Sequence, residues 1–258
     1  MTTAGVTECK TVVVACSAMA TRFELVLCGD DPAFLQDAGE AALDDIRDAH
    51  DRLSKYERTS VISAINQSAG RSHVRIDDEV FDLLNLAERV RIESDNTFNI
   101  TLGTSPLSLD PHTRTAFLPD PTGTIDLGGI GKGHALDLAA TTLLDAGITS
   151  ALLHGGTSTI TAIGTRPDGK PWTVRIADDF DAHLVDESLS ISNAIDGSQH
   201  QREHIVGSTN IAAAAVKHAS AAEADAWSTA IVAGSWARPP QHARQTKHRW
   251  HISKDWNR

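Results

Sequence analysis

Residues 124–137, which read T-I-D-L-G-G-I-G-K-G-H-A-L-D, have the residue types that could bind a phosphate group. The glycines in this stretch let the backbone turn with positive φ and approach a ligand closely. The pattern becomes helical from Lys132 onward and stops at Gly147. A helix N-terminus presents free N–H groups and a positive dipole end, and Lys132 adds a cation there. With Asp126 at the end of a predicted strand, the stretch suits a pyrophosphate, with room for a divalent metal.

The same stretch also fits a purely structural turn. It does not match G-x-x-x-x-G-K-[ST], because Gly133 follows the lysine, and it does not have the usual G-x-G-x-x-G spacing. From the residues alone, both interpretations stay open.

A second group that could do chemistry lies near the end of the chain. Residues 220–234 are apolar on nearly all sides, which predicts a buried helix. Asp225 and Thr229 are one turn apart and share a face of this helix. A buried carboxylate has to be paired, hydrogen-bonded or coordinated to a metal. The residues allow a metal site, or a cap in which Asp225 closes the helix start and Thr229 bonds back to a carbonyl.

The elements that must position these residues are strands and helices without strict βαβ alternation, which favours an α+β fold. Helices are predicted after Asp31 to about Lys55, after Asp77 or Asp78, from Lys132, and over residues 220–234. Asp168-Gly169 is a hairpin signal between two of the predicted strands. These strands cover residues 11–17, 22–28, 74–76, 150–153, 160–163, 172–176, 189–191 and 211–216.

Three stretches have no regular pattern. Residues 54–66, which contain the single tyrosine, Tyr56, read as a solvated loop, and residues 178–187 read as an acidic loop. Residues 96–111 form a long loop that is either functional or a plain connector. We expect one domain over residues 1–237 and a basic tail over 238–258, in which Trp250 and Ile252 suggest a last edge strand.

Composition excludes some partners. The chain has 258 residues, a formal net charge of −11 and a pI of about 5.5, so nucleic acid and anionic membranes are not expected partners. Three unevenly spaced cysteines indicate free thiols in a reducing compartment. No apolar run approaches the roughly 18 residues of a membrane span, and we expect no signal peptide. The expected location is the cytoplasm.

Four motifs carry a resemblance to a known family. Residues 19–21 read M-A-T where the family has M-G-T, and residues 54–66 keep S-x-Y followed by S-x-I-S-x-x-N. Residues 126–137 match D-L-G-G-I-A-K-G-Y-A-x-D except at Gly131 and His134, and residues 224–229 match A-D-A-x-x-T. The chain thus resembles the ApbE family, the FAD:protein FMN transferases, from about residue 19 to residue 234.

The resemblance implies an ApbE-like (T-fold-like) arrangement of mixed or antiparallel sheets packed with helices. It also implies an enzyme that uses FAD and Mg²⁺, transfers FMN to a Ser or Thr of an acceptor flavoprotein and releases AMP. By the resemblance, the metal ligands are Gly129, Asp225 and Thr229, and the catalytic residues are Asp225, Lys132 and Asn99. The implied FAD-binding residues are Met19, Tyr56, Thr97, Phe98, Asn99, Asp126, Lys132, His204 and Ile205.

Several family motifs are altered. The F-D-x-T loop reads F-N-I-T at residues 98–101, so Asn99 replaces a carboxylate with an amide. G-G-N reads G-G-T at residues 155–157, T-S-G reads I-S-N at residues 191–193, and H-I-I-D-P reads H-I-V-G-S at residues 204–208. Two other functions therefore stay open: a flavin- or nucleotide-binding protein without transfer activity, and an FAD pyrophosphatase that yields FMN and AMP.

Overall fold

The computed structural model describes residues 9–177, 180–193, 213–234 and 243–246. The helices in these ranges are α1 (Pro32–Leu53), α2 (Val61–Gln67), α3 (Asp78–Glu93), α4 (Gly131–Asp145) and α5 (Ala221–Ala233). The strands are β1 (Lys10–Ala18), β2 (Thr21–Gly29), β3 (Val74–Arg75), β4 (Ser108–Asp110), β5 (Thr115–Phe117), β6 (Ala151–Gly155), β7 (Thr159–Ile163), β8 (Trp172–Ala177), β9 (Phe180–Leu184), β10 (Ser188–Asn193), β11 (Ala213–His218) and β12 (Ala243–Thr246).

A seven-stranded antiparallel sheet forms the centre of the fold, in the order β1-β2-β6-β7-β10-β11-β12. α1, α4 and α5 pack on one face of it. The β8–β9 hairpin shares a second apolar core with residues of the large sheet. A small third sheet has the order β3-β5-β4, and its Ala116 belongs to the main apolar core. This is the expected α+β fold, and none of the helices in the described ranges combines the length and apolarity that crossing a bilayer requires.

α1 begins where the sequence predicts. Asp31 Oδ1 accepts hydrogen bonds from the N–H groups of Ala33 (3.0 Å) and Phe34 (3.2 Å), and Pro32 follows in the first turn. The helix lies close against β1, because a Cβ added at Gly39 would be 2.8 Å from Val14 Cγ2. Its buried side includes Leu35, Ala38, Ala42, Ile46, Ala49 and Leu53, which recur at the spacing of one helix face.

α4 and α5 pack directly against each other. A Cβ added at Gly133 would lie 2.2 Å from the carbonyl oxygen of Ala221, so only glycine permits this approach. Asp137 of α4 accepts hydrogen bonds from the N–H groups of Ala221 (2.7 Å) and Ala222 (3.0 Å), and from Ser220 Oγ (2.7 Å). Burial raises the pKa of the Asp137 carboxyl, and these hydrogen bonds act in the opposite direction. One carboxylate of α4 thus accepts hydrogen bonds from the N–H groups at the start of α5 that have no partner within the helix.

The structure corrects several local predictions. Part of the predicted loop 54–66 is helix α2, which Ser60 caps by accepting a hydrogen bond from the N–H of Ser63. The acidic stretch 178–187 contains β9. The Asp168-Gly169 turn does not join a hairpin, because β7 pairs with β6 and β10 while β8 pairs with β9. β12 lies at the edge of the large sheet, whereas Trp250 and Ile252, where we predicted that strand, lie outside the described residues.

Candidate active site

The glycine-rich turn is held by contacts from helix α2 and from the loop that contains Ile100. Asn66 donates from Nδ2 to the carbonyl of Ile125 (3.1 Å) and accepts the N–H of Ile125 on Oδ1 (2.7 Å). The N–H of Asp126 donates to the carbonyl of Ile100 at 2.7 Å. Residues 123–127 belong to no strand, so the prediction that Asp126 ends a strand is wrong. Side chains and loops, rather than a sheet, fix this part of the turn.

The role of the turn's glycines also differs from the prediction. Gly128, Gly129, Gly131 and Gly133 all have φ outside the positive range. A Cβ at Gly129 would lie 3.1 Å from Thr229 Cγ2 and 3.2 Å from Phe98 Cε2. Gly129 and Gly133 therefore serve close packing against α5 rather than an unusual backbone conformation.

Asp126 is buried, and each of its carboxylate oxygens has a partner. Its Oδ2 lies 2.7 Å from Lys55 Nζ, and its Oδ1 accepts the N–H of Gly128 at 2.8 Å. Lys55 was not among the predicted site residues, although it stands between the Ser54 and Tyr56 of the S-x-Y motif. A charge-assisted bond of this length orients the carboxylate and brings a second ammonium group to the turn.

Lys132 and Asp225 meet at the start of α4. Lys132 Nζ lies 3.6 Å from Asp225 Oδ2 and 3.5 Å from the carbonyl oxygen of Gly128. Asp225 Oδ2 also accepts the N–H of Gly133 at 3.2 Å, and only 2% of Asp225 is exposed. Ile130, the N-cap residue of α4, makes no side-chain cap hydrogen bond. The carboxylate from α5 therefore accepts a hydrogen bond from an N–H group at the start of α4.

Thr229 lies one helical turn after Asp225 in α5 and contacts the same glycine-rich segment. Its Oγ1 lies 3.5 Å from the carbonyl oxygen of Gly129, across a sequence separation of 100 residues. The alternative in which Asp225 caps its own helix is wrong, because Ser220 is the N-cap and accepts the N–H of Glu223 at 3.2 Å. The two regions that the sequence analysis singled out thus come together.

The oxygens at this junction suit a hard divalent cation. The Asp225 carboxylate, the Thr229 hydroxyl and the Gly129 carbonyl are the ligand types that Mg²⁺ prefers. Across the described ranges no three or more His, Cys, Asp or Glu side chains cluster as a metal site. A single carboxylate with neutral oxygens fits a cation that completes its coordination with ligand phosphates and water. The residues present therefore fit Mg²⁺ bound together with a diphosphate.

Two of the predicted FAD-binding residues flank the turn. The Met19 N–H donates to His50 Nδ1 at 3.2 Å, and Met19 Sδ lies 3.9 Å from the position of a Cβ added at Gly131. Tyr56 is 73% exposed, and Lys55 Nζ lies 4.9 Å from the centroid of its ring. Because Lys55 also binds Asp126, the tyrosine is linked to the turn through one side chain.

Residues 97–99 lie beside the C-terminal end of α5. Phe98 is buried near Gly129, and a Cβ added at Gly234 would lie 2.1 Å from Thr97 Cγ2. Asn99 Oδ1 accepts hydrogen bonds from the N–H and Oγ1 of Thr101, both at 2.9 Å. The amide oxygen of Asn99 thus shapes its own loop. His204 and Ile205 lie outside the described residues.

Comparisons with known proteins point to one family. A family model described as the ApbE family matches residues 19–107 and 105–249. The FAD:protein FMN transferase of Klebsiella pneumoniae (strain 342) is 27% identical over 177 residues, which cover 57% of this chain and 54% of that protein. The match thus spans about half of that relative's length. The FAD:protein FMN transferase of Escherichia coli (strain K12) is 21% identical over 238 residues, covering 72% and 68%.

Solved structures show the same fold. The ApbE protein of Thermotoga maritima superposes with a TM-score of 0.75 at 20% identity and covers 87% of each chain. The flavin transferase ApbE of Vibrio cholerae gives a TM-score of 0.71 at 18% identity and covers 88% of this chain and 87% of its own.

Proposed function

The chain belongs to the ApbE family, and we propose on that premise that it is a Mg²⁺-dependent FAD:protein FMN transferase. It would move FMN from FAD to a Ser or Thr of a partner flavoprotein and release AMP. The observation that carries the proposal is the meeting of Asp225 and Thr229 with the turn around Gly129 and Lys132. Curated relatives from Klebsiella pneumoniae and Escherichia coli bear the name of this activity.

In the proposed reaction the acceptor hydroxyl oxygen forms a bond to the phosphorus on the FMN side of the FAD diphosphate. The bond from that phosphorus to the bridging oxygen breaks, AMP departs with this oxygen, and the hydroxyl proton is released overall. Such a transfer depends mainly on positioning and on neutralising the charge of the phosphates. The residues of the site have to supply both.

Lys132 and the start of α4 face the diphosphate in this proposal. The Lys132 ammonium lies 3.6 Å from the Asp225 carboxylate at the N-terminal end of α4. There it can bind phosphate oxygens together with the N–H groups of the helix start. Asp225, Thr229 and the Gly129 carbonyl would hold Mg²⁺, which supplies further neutralisation of the diphosphate when bound. Lys55 pairs with the buried Asp126 and orients its carboxylate, so that Asp126 can meet a donor of the flavin dinucleotide.

Purified protein incubated with FAD, Mg²⁺ and candidate acceptor flavoproteins tests the proposal. Chromatography measures AMP, and in-gel fluorescence measures flavin that is covalently bound to protein. We expect Asp225→Asn and Lys132→Ala to abolish both signals, whereas Asp120→Asn and Lys170→Ala, matched changes of a carboxylate and an ammonium on exposed loops, retain them.

Two results would contradict the transferase assignment. AMP and free FMN without protein-bound flavin for any acceptor would indicate an FAD pyrophosphatase. Uncleaved FAD that stays on the purified protein in the presence of Mg²⁺ would indicate a binding protein. In-gel flavin that persists in Asp225→Asn would show that the assignment of the site is wrong.

A further inference from the structure

Two serines of β10 make matching contacts with threonines of β7. Ser188 Oγ lies 3.0 Å from Thr161 Oγ1, and Ser190 Oγ lies 3.3 Å from Thr159 Oγ1. These hydroxyl groups belong to cross-strand partners in the antiparallel ladder, and both serines are fully buried. The two pairs are close chemical equivalents, two residues apart on one face of the sheet.

The Ser190 pair extends into the candidate active site. Ser190 Oγ donates to Asp225 Oδ1 at 3.0 Å, and Ser228 Oγ lies 3.3 Å from Ser190 Oγ. The N–H of Gly133 donates to the other oxygen, Asp225 Oδ2, at 3.2 Å. One oxygen of the carboxylate is therefore held from the sheet and the other from α4.

We propose that Ser190 is a positioning residue that fixes the orientation of the Asp225 carboxylate for cation binding, an inference that rests on the proposed function. With 2% of Asp225 exposed, bulk water cannot take over the place of a lost donor. Without the Ser190 hydroxyl, the carboxylate keeps its contacts with Gly133 and Lys132 and turns toward the ammonium. We expect the reoriented carboxylate to bind a cation less tightly.

The family motifs do not point to this residue. The segment that corresponds to T-S-G begins at Ile191, one position after Ser190. The assignment depends on the geometry of this chain, in which the side chains of β10 alternate and place Ser190 and Ser192 on the face toward α5. Partners that orient a metal ligand affect metal affinity strongly even though they do not touch the metal.

The test compares Ser190→Ala with Ser188→Ala, its matched control, in the full chain. Electron paramagnetic resonance titration with Mn²⁺, a spectroscopic substitute for Mg²⁺, measures cation affinity, and thermal unfolding without metal measures stability. We expect Ser190→Ala to weaken Mn²⁺ binding by about 10-fold or more, and Ser188→Ala to leave it unchanged. Ser190→Ala should lose more stability than Ser188→Ala, because it also removes the hydrogen bonds with Asp225 and Ser228. Ser190→Thr, which keeps the hydroxyl group in a strand, should restore most of the affinity.

The outcomes separate this inference from the proposed function. Equal Mn²⁺ affinity in Ser190→Ala and Ser188→Ala overturns the role of Ser190, while AMP formation by the wild type still supports the transferase. Wild-type protein that binds Mn²⁺ and FAD without forming AMP contradicts the transferase, while a difference between the two variants still supports the positioning role. Wild-type protein that binds no Mn²⁺, either alone or in the presence of FAD, overturns both.

Discussion

Replacing Gly133 with alanine would put a methyl group at the point where α4 meets the first turn of α5. The added Cβ would lie 2.2 Å from the carbonyl oxygen of Ala221 and 2.6 Å from the N atom of Ala222. Both neighbours are backbone atoms and cannot rotate away. The start of α5 has to retreat by about 1 Å or more before these atoms reach ordinary contact.

That displacement should affect stability and activity together. Overpacking of this kind costs about 1–3 kcal/mol of unfolding free energy. Because Asp225 and Thr229 belong to α5, the same movement separates them from Lys132 and from the Gly129 carbonyl. A misplacement of about 1 Å can lower the turnover of an enzyme by about 100-fold. We therefore expect Gly133→Ala to lose most AMP formation while it remains folded.

Gly131→Ala is the matched control, two residues earlier on the same helix. The nearest atoms to its added Cβ, on Leu127 and Met19, lie 3.9 Å away, and its φ is not positive. Alanine should therefore leave stability unchanged or raise it by up to about 1 kcal/mol. Denaturant unfolding and AMP formation measured on both variants test the reasoning. If Gly133→Ala had the same stability and turnover as Gly131→Ala, the close contact between α4 and α5 would not be what positions Asp225 and Thr229 at the site.

Three further changes have predicted outcomes. Burial lowers the pKa of His154 from 6.5 to about 4. As the pH falls, the unfolded chain therefore binds a proton at this histidine before the folded chain does. The stability that neutral His154 provides is complete above pH 6.5 and is lost as the pH falls toward 4. This loss amounts to about 3 kcal/mol at most, and denaturant unfolding across that pH range should show a shallower decline in His154→Leu. Lys55→Ala leaves the buried Asp126 without its ion pair and should cost about 1–3 kcal/mol and weaken FAD binding in calorimetry, whereas an unchanged protein would mean that the pair is dispensable. Asp137→Ala removes the acceptor for two N–H groups at the start of α5 and should cost about 1–2 kcal/mol, visible as faster amide exchange at Ala221 and Ala222.

The buried helix α5 and its polar pair could be predicted from local pattern. An apolar surface on all sides indicates burial, and Asp225 and Thr229 share a face through their spacing alone. Their contact with a turn 100 residues away in sequence is not a local property, and the resemblance to the family was needed to predict it. The geometry then excluded Asp225 as the cap of its own helix, because Ser220 occupies the cap position.

Lys55 and Ser190 were missed for different reasons. Lys55 lies in a polar stretch without periodicity, where a long charged side chain usually indicates solvent exposure. Ser190 lies in a strand whose alternation shows which side is buried but not which hydroxyl group meets a carboxylate. α2 could have been found, since Ser60 before Val61-Ile62 is a helix start signal, but the surrounding polar residues hid it.

Because every residue of α5 except Glu223 is buried, this helix is unsuited to movement. Shifting it away from the sheet would bring its apolar surface into water, at a large cost in free energy. The largely exposed Tyr56, in contrast, is joined to the turn by contacts that include the side chain of Lys55, so under the proposed function FAD would meet less resistance there. We therefore expect the rate of FAD binding to change more with substitutions at Tyr56 than with substitutions along α5.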